Sequence, residues 1–302
     1  MKKIISIIFI LNAAVTPGLP QSDTVWRSGG ITSLNFTQVS LTNWAAGGDN
    51  SISGNALVSL FGNMKKGKWS WDNTLDMAFG GSKIADAEIR KTDDKIDLNS
   101  KAGYNFSNKY YLTYLLGFKT QFTEGFQYTD AGRTRISHFL TPGYVLNALG
   151  IDWKPNDDVS VFLSPITIKT TIVNDQLLVD QAELAGIKLY GVDPGKKIRN
   201  EVGAYFAGKY SKKIMENVVF NTKLELFSNY SNDPQNLDVN WETIISFKVN
   251  EFVNAIVTTQ LLYDNDVFVP KDEVNAPPGP GTQFKQTFGI GFAYKFNGYG
   301  VK

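Results

Sequence analysis

Apolar and polar residues alternate along most of this chain, and this period of two constrains the fold more than any other feature. In the last such run, Phe284, Phe288 and Phe292 share one face of the chain, while lysines, threonines and glycines occupy the other. Successive residues of a β-strand point to opposite faces. The pattern therefore predicts strands that each have one apolar and one polar face.

Twelve runs of this kind are predicted to be strands, and we expect no helix between them. They span residues 31–44, 52–64, 68–80, 93–104, 109–127, 136–153, 158–173, 198–210, 215–230, 236–249, 252–264 and 282–296. The sixth and seventh runs lose their phase around Pro142-Gly143 and Pro165. Because proline cannot donate to a strand ladder, we expect bulges or early strand ends there.

The links between these runs alternate in length. Lys65-Lys66-Gly67 and Phe106-Ser107-Asn108 are short, whereas 172–197 and 265–281 are long. Barrels of bacterial outer membranes have short turns at one end and longer loops at the other. The sequence thus predicts an all-β fold, a transmembrane antiparallel up-and-down β-barrel of about 12 strands, over residues 21–302.

The N-terminus has the features of a secretory signal peptide, which we assign to residues 1–20. Met1-Lys2-Lys3 is a short positive region, and the apolar run 4–15 precedes a stretch that contains two prolines. The apolar run is too short for a membrane-spanning helix, which needs about 20 residues. We therefore expect the mature chain to leave the cytoplasm.

Composition excludes several classes of function. The chain has no cysteine and a single histidine, so thiolate metal sites, cysteine nucleophiles and most imidazole metal sites are ruled out. Its net charge of +1 leaves no basic excess for a nucleic acid partner. We expect no cofactor and no resident metal ion.

Charged residues collect on the polar face of the predicted strands, and we expect them to line the barrel interior. These candidates are Asp72, Asp76, Lys95, Asp97, Lys101, Lys119, Lys223, Glu225, Glu242, Lys248, Lys285 and Lys295. Their mixed signs suggest cross-strand ion pairs, which suit either a lined pore or a closed interior. A soluble two-sheet sandwich shares the alternation and stays open as an alternative.

The block Asn43-Trp44-Ala45-Ala46-Gly47-Gly48-Asp49-Asn50 resembles the opening of a Bacteroidota-type outer-membrane barrel family of unknown function. Within it, Asn43, Trp44, Gly47, Gly48 and Asn50 are the candidate family residues. The later stretches Thr141–Tyr144 and Gly150–Pro155 are similar to other blocks of that family. The resemblance implies an outer-membrane location in a Gram-negative bacterium and supplies no substrate or catalytic residue.

Two further groups of residues are candidates for chemistry. His138 with Ser137 or Ser164 is a minor candidate for a hydrolase triad, although neither serine lies in a recognisable nucleophile elbow. Asp264, Asp266, Asp272 and Glu273 lie in a predicted external loop, where they suit either Ca²⁺ or simple solvation.

We therefore expect a protein without enzymatic activity in the outer membrane of a Gram-negative bacterium. The leading hypothesis is a narrow passive channel for small polar solutes. The alternative is a plugged barrel with a structural, adhesive or complex-assembly role, in contact with other envelope proteins. In either case outer-membrane lipid surrounds the chain.

Overall fold

The computed structural model describes residues 24–40, 49–129, 132–269 and 279–298. Within these ranges the chain forms sixteen β-strands and one α-helix. The strands are β1 (Thr24–Val39), β2 (Ser51–Lys66), β3 (Trp69–Ile84), β4 (Arg90–Ser107), β5 (Tyr110–Thr120), β6 (Gly125–Thr129), β7 (Gly132–Ser137), β8 (Gly143–Trp153), β9 (Val159–Ile172), β10 (Ile198–Met215), β11 (Val218–Asn229), β12 (Leu237–Lys248), β13 (Val253–Tyr263), β14 (Phe268–Val269), β15 (Gly279–Pro280) and β16 (Gln283–Gly298). The helix is α1 (Gln176–Ala185).

Twelve of these strands close into one antiparallel barrel, which confirms the predicted fold class. Their order around the barrel is β1-β16-β13-β12-β11-β10-β9-β8-β5-β4-β3-β2. Strands β1 and β16 pair directly, from Ser28 opposite Gly298 to Asn35 opposite Gly291. Because this pairing closes the sheet, the fold is a barrel and not a two-sheet sandwich.

The fifth and sixth barrel strands are shorter than predicted. Strand β5 ends at Thr120, β8 begins at Gly143, and the residues between them form the separate hairpin β6–β7. The expected strand end at Pro142-Gly143 is confirmed. The bulge expected at Pro165 is confirmed as well, since Leu149 pairs with Ile166 but Ile151 pairs with Leu163.

The expectation of a chain without helices was wrong. Helix α1 lies in the long link between β9 and β10, where Asp175 caps its N-terminus by accepting from the backbone N–H groups of Leu177 and Leu178. Gly186 ends the helix in the left-handed conformation. The helix is only ten residues long, so its amphipathic pattern is weak against the alternation around it. Among the described residues, no helix has the length and apolar character needed to cross a bilayer.

The outer surface of the barrel is apolar. Outward-facing Leu34 and Phe292 are 65% and 69% exposed, and Phe288, Leu163 and Ile166 are exposed in the same way. At the short-turn end, aromatic rings pair on this surface, with ring centroids 5.0 Å apart for Trp69 and Tyr104. Apolar area of this extent is unusual on a monomeric soluble protein and marks a surface that contacts lipid or protein.

Neighbouring strands approach closely at three glycines of the barrel wall. A Cβ at Gly150 would lie 2.1 Å from the Leu163 carbonyl oxygen, and one at Gly203 would lie 2.0 Å from that of Ser228. On the opposite side, a Cβ at Gly291 would lie 2.0 Å from the Leu34 carbonyl oxygen. Glycine within a strand is typical of tight barrel corners. These close approaches lie at β8–β10 and at β16–β1, and they separate two walls in the order around the barrel, β2–β5 and β11–β13.

Candidate functional site

Glu225 is the centre of the charged network inside the barrel. Its buried carboxylate accepts from Lys119 Nζ at 2.5 Å and from the Tyr205 hydroxyl at 2.6 Å. It also accepts from Asn240 at 2.7 Å and pairs with Lys223 at 3.0 Å. Since Lys119 comes from β5 and Glu225 from β11, this ion pair joins the two facing walls.

A second ion pair crosses the barrel between opposite strands. Lys95 Nζ on β4 lies 3.0 Å from both carboxylate oxygens of Glu242 on β12, and these strands are six places apart in the order of twelve. A circular barrel of twelve strands, spaced about 4.8 Å apart and tilted by about 40°, is roughly 24 Å wide between backbones. Two extended side chains and a hydrogen bond reach only about 13 Å. The barrel is therefore oval, with its walls drawn together at this level.

A third cluster lies toward the short-turn end. The fully buried Asp152 pairs with Lys101 at 3.1 Å and accepts from the Ser160 hydroxyl at 2.7 Å. Lys154 lies 2.6 Å from Asp72 and 3.6 Å from Asp152. Charged side chains thus link β3, β4 and the end of β8, and the Ser160 hydroxyl adds β9.

The loop end of the interior holds an acidic cluster around two cations. Lys169 Nζ lies 2.6 Å from Asp238 and 3.3 Å from Asp264. Arg199 bonds Asp266 at 2.6 Å. Asp264 and Asp266, which follow β13, are therefore bonded to cations of the barrel. Asp272 and Glu273 lie outside the described residues.

The link that contains α1 folds beside this end of the barrel. Tyr190 packs against the buried Val173, Val179 and Val192, and its hydroxyl donates to the Ile136 carbonyl oxygen at 2.8 Å. Burial raises the pKa of Tyr190 to about 12, so its phenol is neutral and acts as a donor. The link is thereby fixed to the end of β7.

One half of the interior is packed with apolar side chains. Phe162 is fully buried among Leu115, Ala148 and Tyr205, and its ring lies 4.9 Å from Lys101 Nζ. These residues come from β5 and β8–β10. The other half, on β16 and β1, carries small residues such as Gly289, Gly291 and Ser33.

The structure places the remaining predicted interior residues in different surroundings. Asp76 accepts from the Ser59 hydroxyl at 2.5 Å, and Lys285 pairs with Asp93 at 2.7 Å. Asp97 lies 3.9 Å from Lys119. Lys248 and Lys295 are exposed and form no ion pair with any described residue.

The block at 43–50, which resembles the outer-membrane barrel family, lies only partly within the residues that the structure describes. Asn43, Trp44, Gly47 and Gly48 lie outside the described residues. Asn50, which precedes β2, accepts through its backbone oxygen from Ala85 N at 2.7 Å.

Several members of the network were not predicted. Asp152, Lys154, Lys169, Glu201 and Arg199 lie on or beside β8–β10, where proline and glycine disturb the alternation. Asp152 and Lys169 do continue the alternation of their own strands. A strand-by-strand assignment that allowed for one bulge at Pro165 would have put both of them on the interior face.

Ser164 and His138, the candidate hydrolase residues, take part in hydrogen bonds that involve the backbone. The buried Ser164 hydroxyl lies 2.8 Å from the Leu149 carbonyl oxygen and accepts from Thr167 at 2.9 Å. It satisfies polar groups of the β9 bulge. His138 pairs through its backbone with Thr141 in the turn after β7.

Known proteins offer limited similarity. Residues 36–126 match the model of a protein family of unknown function, DUF3078. No curated protein sequence matches the chain significantly. An outer-membrane channel from Pseudomonas putida F1 is 11% identical, with 94% of this chain and 100% of that chain covered and a TM-score of 0.36. The NanC porin is 10% identical, with coverages of 90% and 100% and a TM-score of 0.36. The translocator domain of the autotransporter NalP from Neisseria meningitidis is 11% identical, with coverages of 93% and 90% and a TM-score of 0.35.

Proposed function

We propose that this chain is an integral outer-membrane protein of a Gram-negative bacterium that forms a narrow passive channel for small polar solutes. The membrane location is supported by the closed barrel, whose backbone groups are paired all round, and by its apolar outer face. Aromatic side chains at the short-turn end suit a membrane interface. The resemblance of the block at 43–50 to Bacteroidota-type barrels agrees with this location.

The observation that carries the channel proposal is the partial exposure of charged side chains in the interior. Interior-facing Lys285 is 44% exposed, and the side chains of Lys119 and Lys223 are about 30% exposed although both are ion-paired. A fully packed interior would bury these groups. Water therefore reaches them beside the cross-barrel ion pairs, and a path that is narrow and lined by both signs of charge selects small polar solutes.

Liposome swelling tests this proposal. Vesicles that contain the folded chain should admit small sugars faster than empty vesicles, and the rate should fall steeply as the sugar becomes larger. A rate equal to that of empty vesicles for every sugar would contradict the channel.

A second candidate function is a closed barrel with a structural, adhesive or assembly role. The Lys95–Glu242 pair favours it, because it joins opposite walls at the middle of the barrel. Cysteines introduced into the 186–197 link would then crosslink to a second envelope protein in whole cells. Capture of no protein would contradict this candidate.

A further inference from the structure

Two lysines face each other across neighbouring strands of the barrel interior. Lys209 on β10 is the register partner of Lys223 on β11. Both lysines face the interior, as their partners on the next strands do. Lys209 is opposite Ser160, whose hydroxyl bonds the buried Asp152. Lys223 is opposite Glu242, which bonds Lys95. Like charges directly opposite one another destabilise a sheet. The sequence therefore keeps an arrangement here that lowers the stability of the barrel.

The positive charge of these two lysines is only partly neutralised. Lys223 pairs with Glu225 at 3.0 Å, but the same carboxylate also binds Lys119 at 2.5 Å. Glu225 thus serves two ammonium groups, although Asp97 also lies 3.9 Å from Lys119. Lys209 forms neither an ion pair nor a hydrogen bond with any residue in the described part of the chain.

The carboxylates nearest to Lys209 are engaged elsewhere. Its electrostatic neighbours include Asp76 and Asp72. Asp76 accepts from the Ser59 hydroxyl at 2.5 Å, and Asp72 lies 2.6 Å from Lys154. Neither carboxylate reaches the Lys209 ammonium group.

The lysine pair is accessible from the interior space. Lys209 is exposed although its position faces inward. The Lys223 side chain is 29% exposed. Neither side chain is therefore enclosed completely by its neighbours.

We propose that Lys209 and Lys223 form a binding site for an anionic, oxygen-bearing group of a solute, with phosphate as its simplest representative. This inference rests on the proposed channel function, since it assigns a solute class to that path. An oxyanion between the two ammonium groups accepts hydrogen bonds from both and removes their mutual repulsion. Lysine side chains along a pore are a usual means of admitting anions.

Phosphorus NMR of inorganic phosphate tests the site without a membrane. The full chain, folded in a nonionic detergent, should broaden the phosphate signal in a saturable manner. The variant Lys209→Gln should weaken this binding about tenfold or more, the effect of losing one hydrogen bond to a charged group. Lys209→Arg should retain binding.

Lys212→Gln provides the matched control. Lys212 lies on the same strand, but it is the register partner of outward-facing Phe220 and is exposed. Its loss should leave phosphate binding unchanged. An unmodified chain that does not broaden the signal would overturn the inference, as would a folded Lys209→Gln variant that binds phosphate as tightly as the unmodified chain.

The two proposals fail in different ways. Phosphate binding in a chain that admits no sugar into vesicles would support the site and contradict the channel. Sugar entry together with phosphate binding that is insensitive to Lys209 would support the channel and overturn the site.

Discussion

Replacement of Glu225 by glutamine should destabilise the barrel strongly. The carboxylate accepts from Lys119, Tyr205 and Asn240 and pairs with Lys223. Glutamine has nearly the same shape, but it removes the negative charge and turns one acceptor into a donor. Lys223 then loses its ion-pair partner, and Lys119 keeps only Asp97 at 3.9 Å.

The size of the effect follows from burial. Removing one partner of a buried ion pair costs about 3–5 kcal/mol. Glu225 is buried, but the side chains of Lys119 and Lys223 are 31% and 29% exposed and recover part of their hydration. We therefore expect a loss near the lower limit, about 3 kcal/mol.

Urea unfolding of the chain in lipid vesicles, followed by tryptophan fluorescence, measures this loss. With a slope of about 3 kcal/mol per molar urea, the midpoint should fall by about 1 M. Glu216→Gln is the control, because Glu216 is exposed in the turn between β10 and β11. Its midpoint should not move. A Glu225→Gln midpoint equal to that of the control would refute the assignment of Glu225 as the centre of the network.

Three further perturbations test other parts of the barrel. Phe162→Ala should lower the unfolding free energy by about 3–5 kcal/mol, since the ring is fully buried. A loss below about 1 kcal/mol in the same urea titration would contradict the tight apolar packing around Phe162. A double-mutant cycle of Lys95→Gln and Glu242→Gln should give a coupling energy of about 1 kcal/mol, and additive losses would mean that no ion pair joins the two walls. Phe288→Arg should cost about 2–4 kcal/mol in vesicles because Phe288 faces outward near the middle of β16, whereas Phe139→Arg, in an exposed turn, should cost less than about 0.5 kcal/mol. Equal losses in these two arginine variants would argue against a lipid-facing wall.

The architecture was predictable because alternation is a local property. Each strand with one apolar and one polar face shows its period in its own sequence, as the run from Phe284 to Tyr294 does. Alternating link lengths then indicate an up-and-down barrel. Where the local signal is disturbed at Pro142, the limits of the neighbouring strands were wrong by several residues, whereas the strand that contains Pro165 was placed to within one residue at each end. Helix α1 was missed because ten residues with an aspartate cap give little periodic signal.

The partners of the charged residues were not predictable from the sequence. Lys95 and Glu242 are 147 positions apart, and their contact depends on the oval section of the barrel. The close approach of backbone at glycines such as Gly150 and Gly203 likewise becomes visible only when the neighbouring strand is in place. Alternation assigns a face to each charge, but it does not say which wall lies opposite.

Single-channel recording in a planar bilayer tests the central claim most directly. The folded chain should produce discrete current steps whose size rises with salt concentration and is small, as a path narrowed by Lys95 and Glu242 requires. A correctly folded barrel that inserts into the bilayer and passes no current at any salt concentration would contradict the channel.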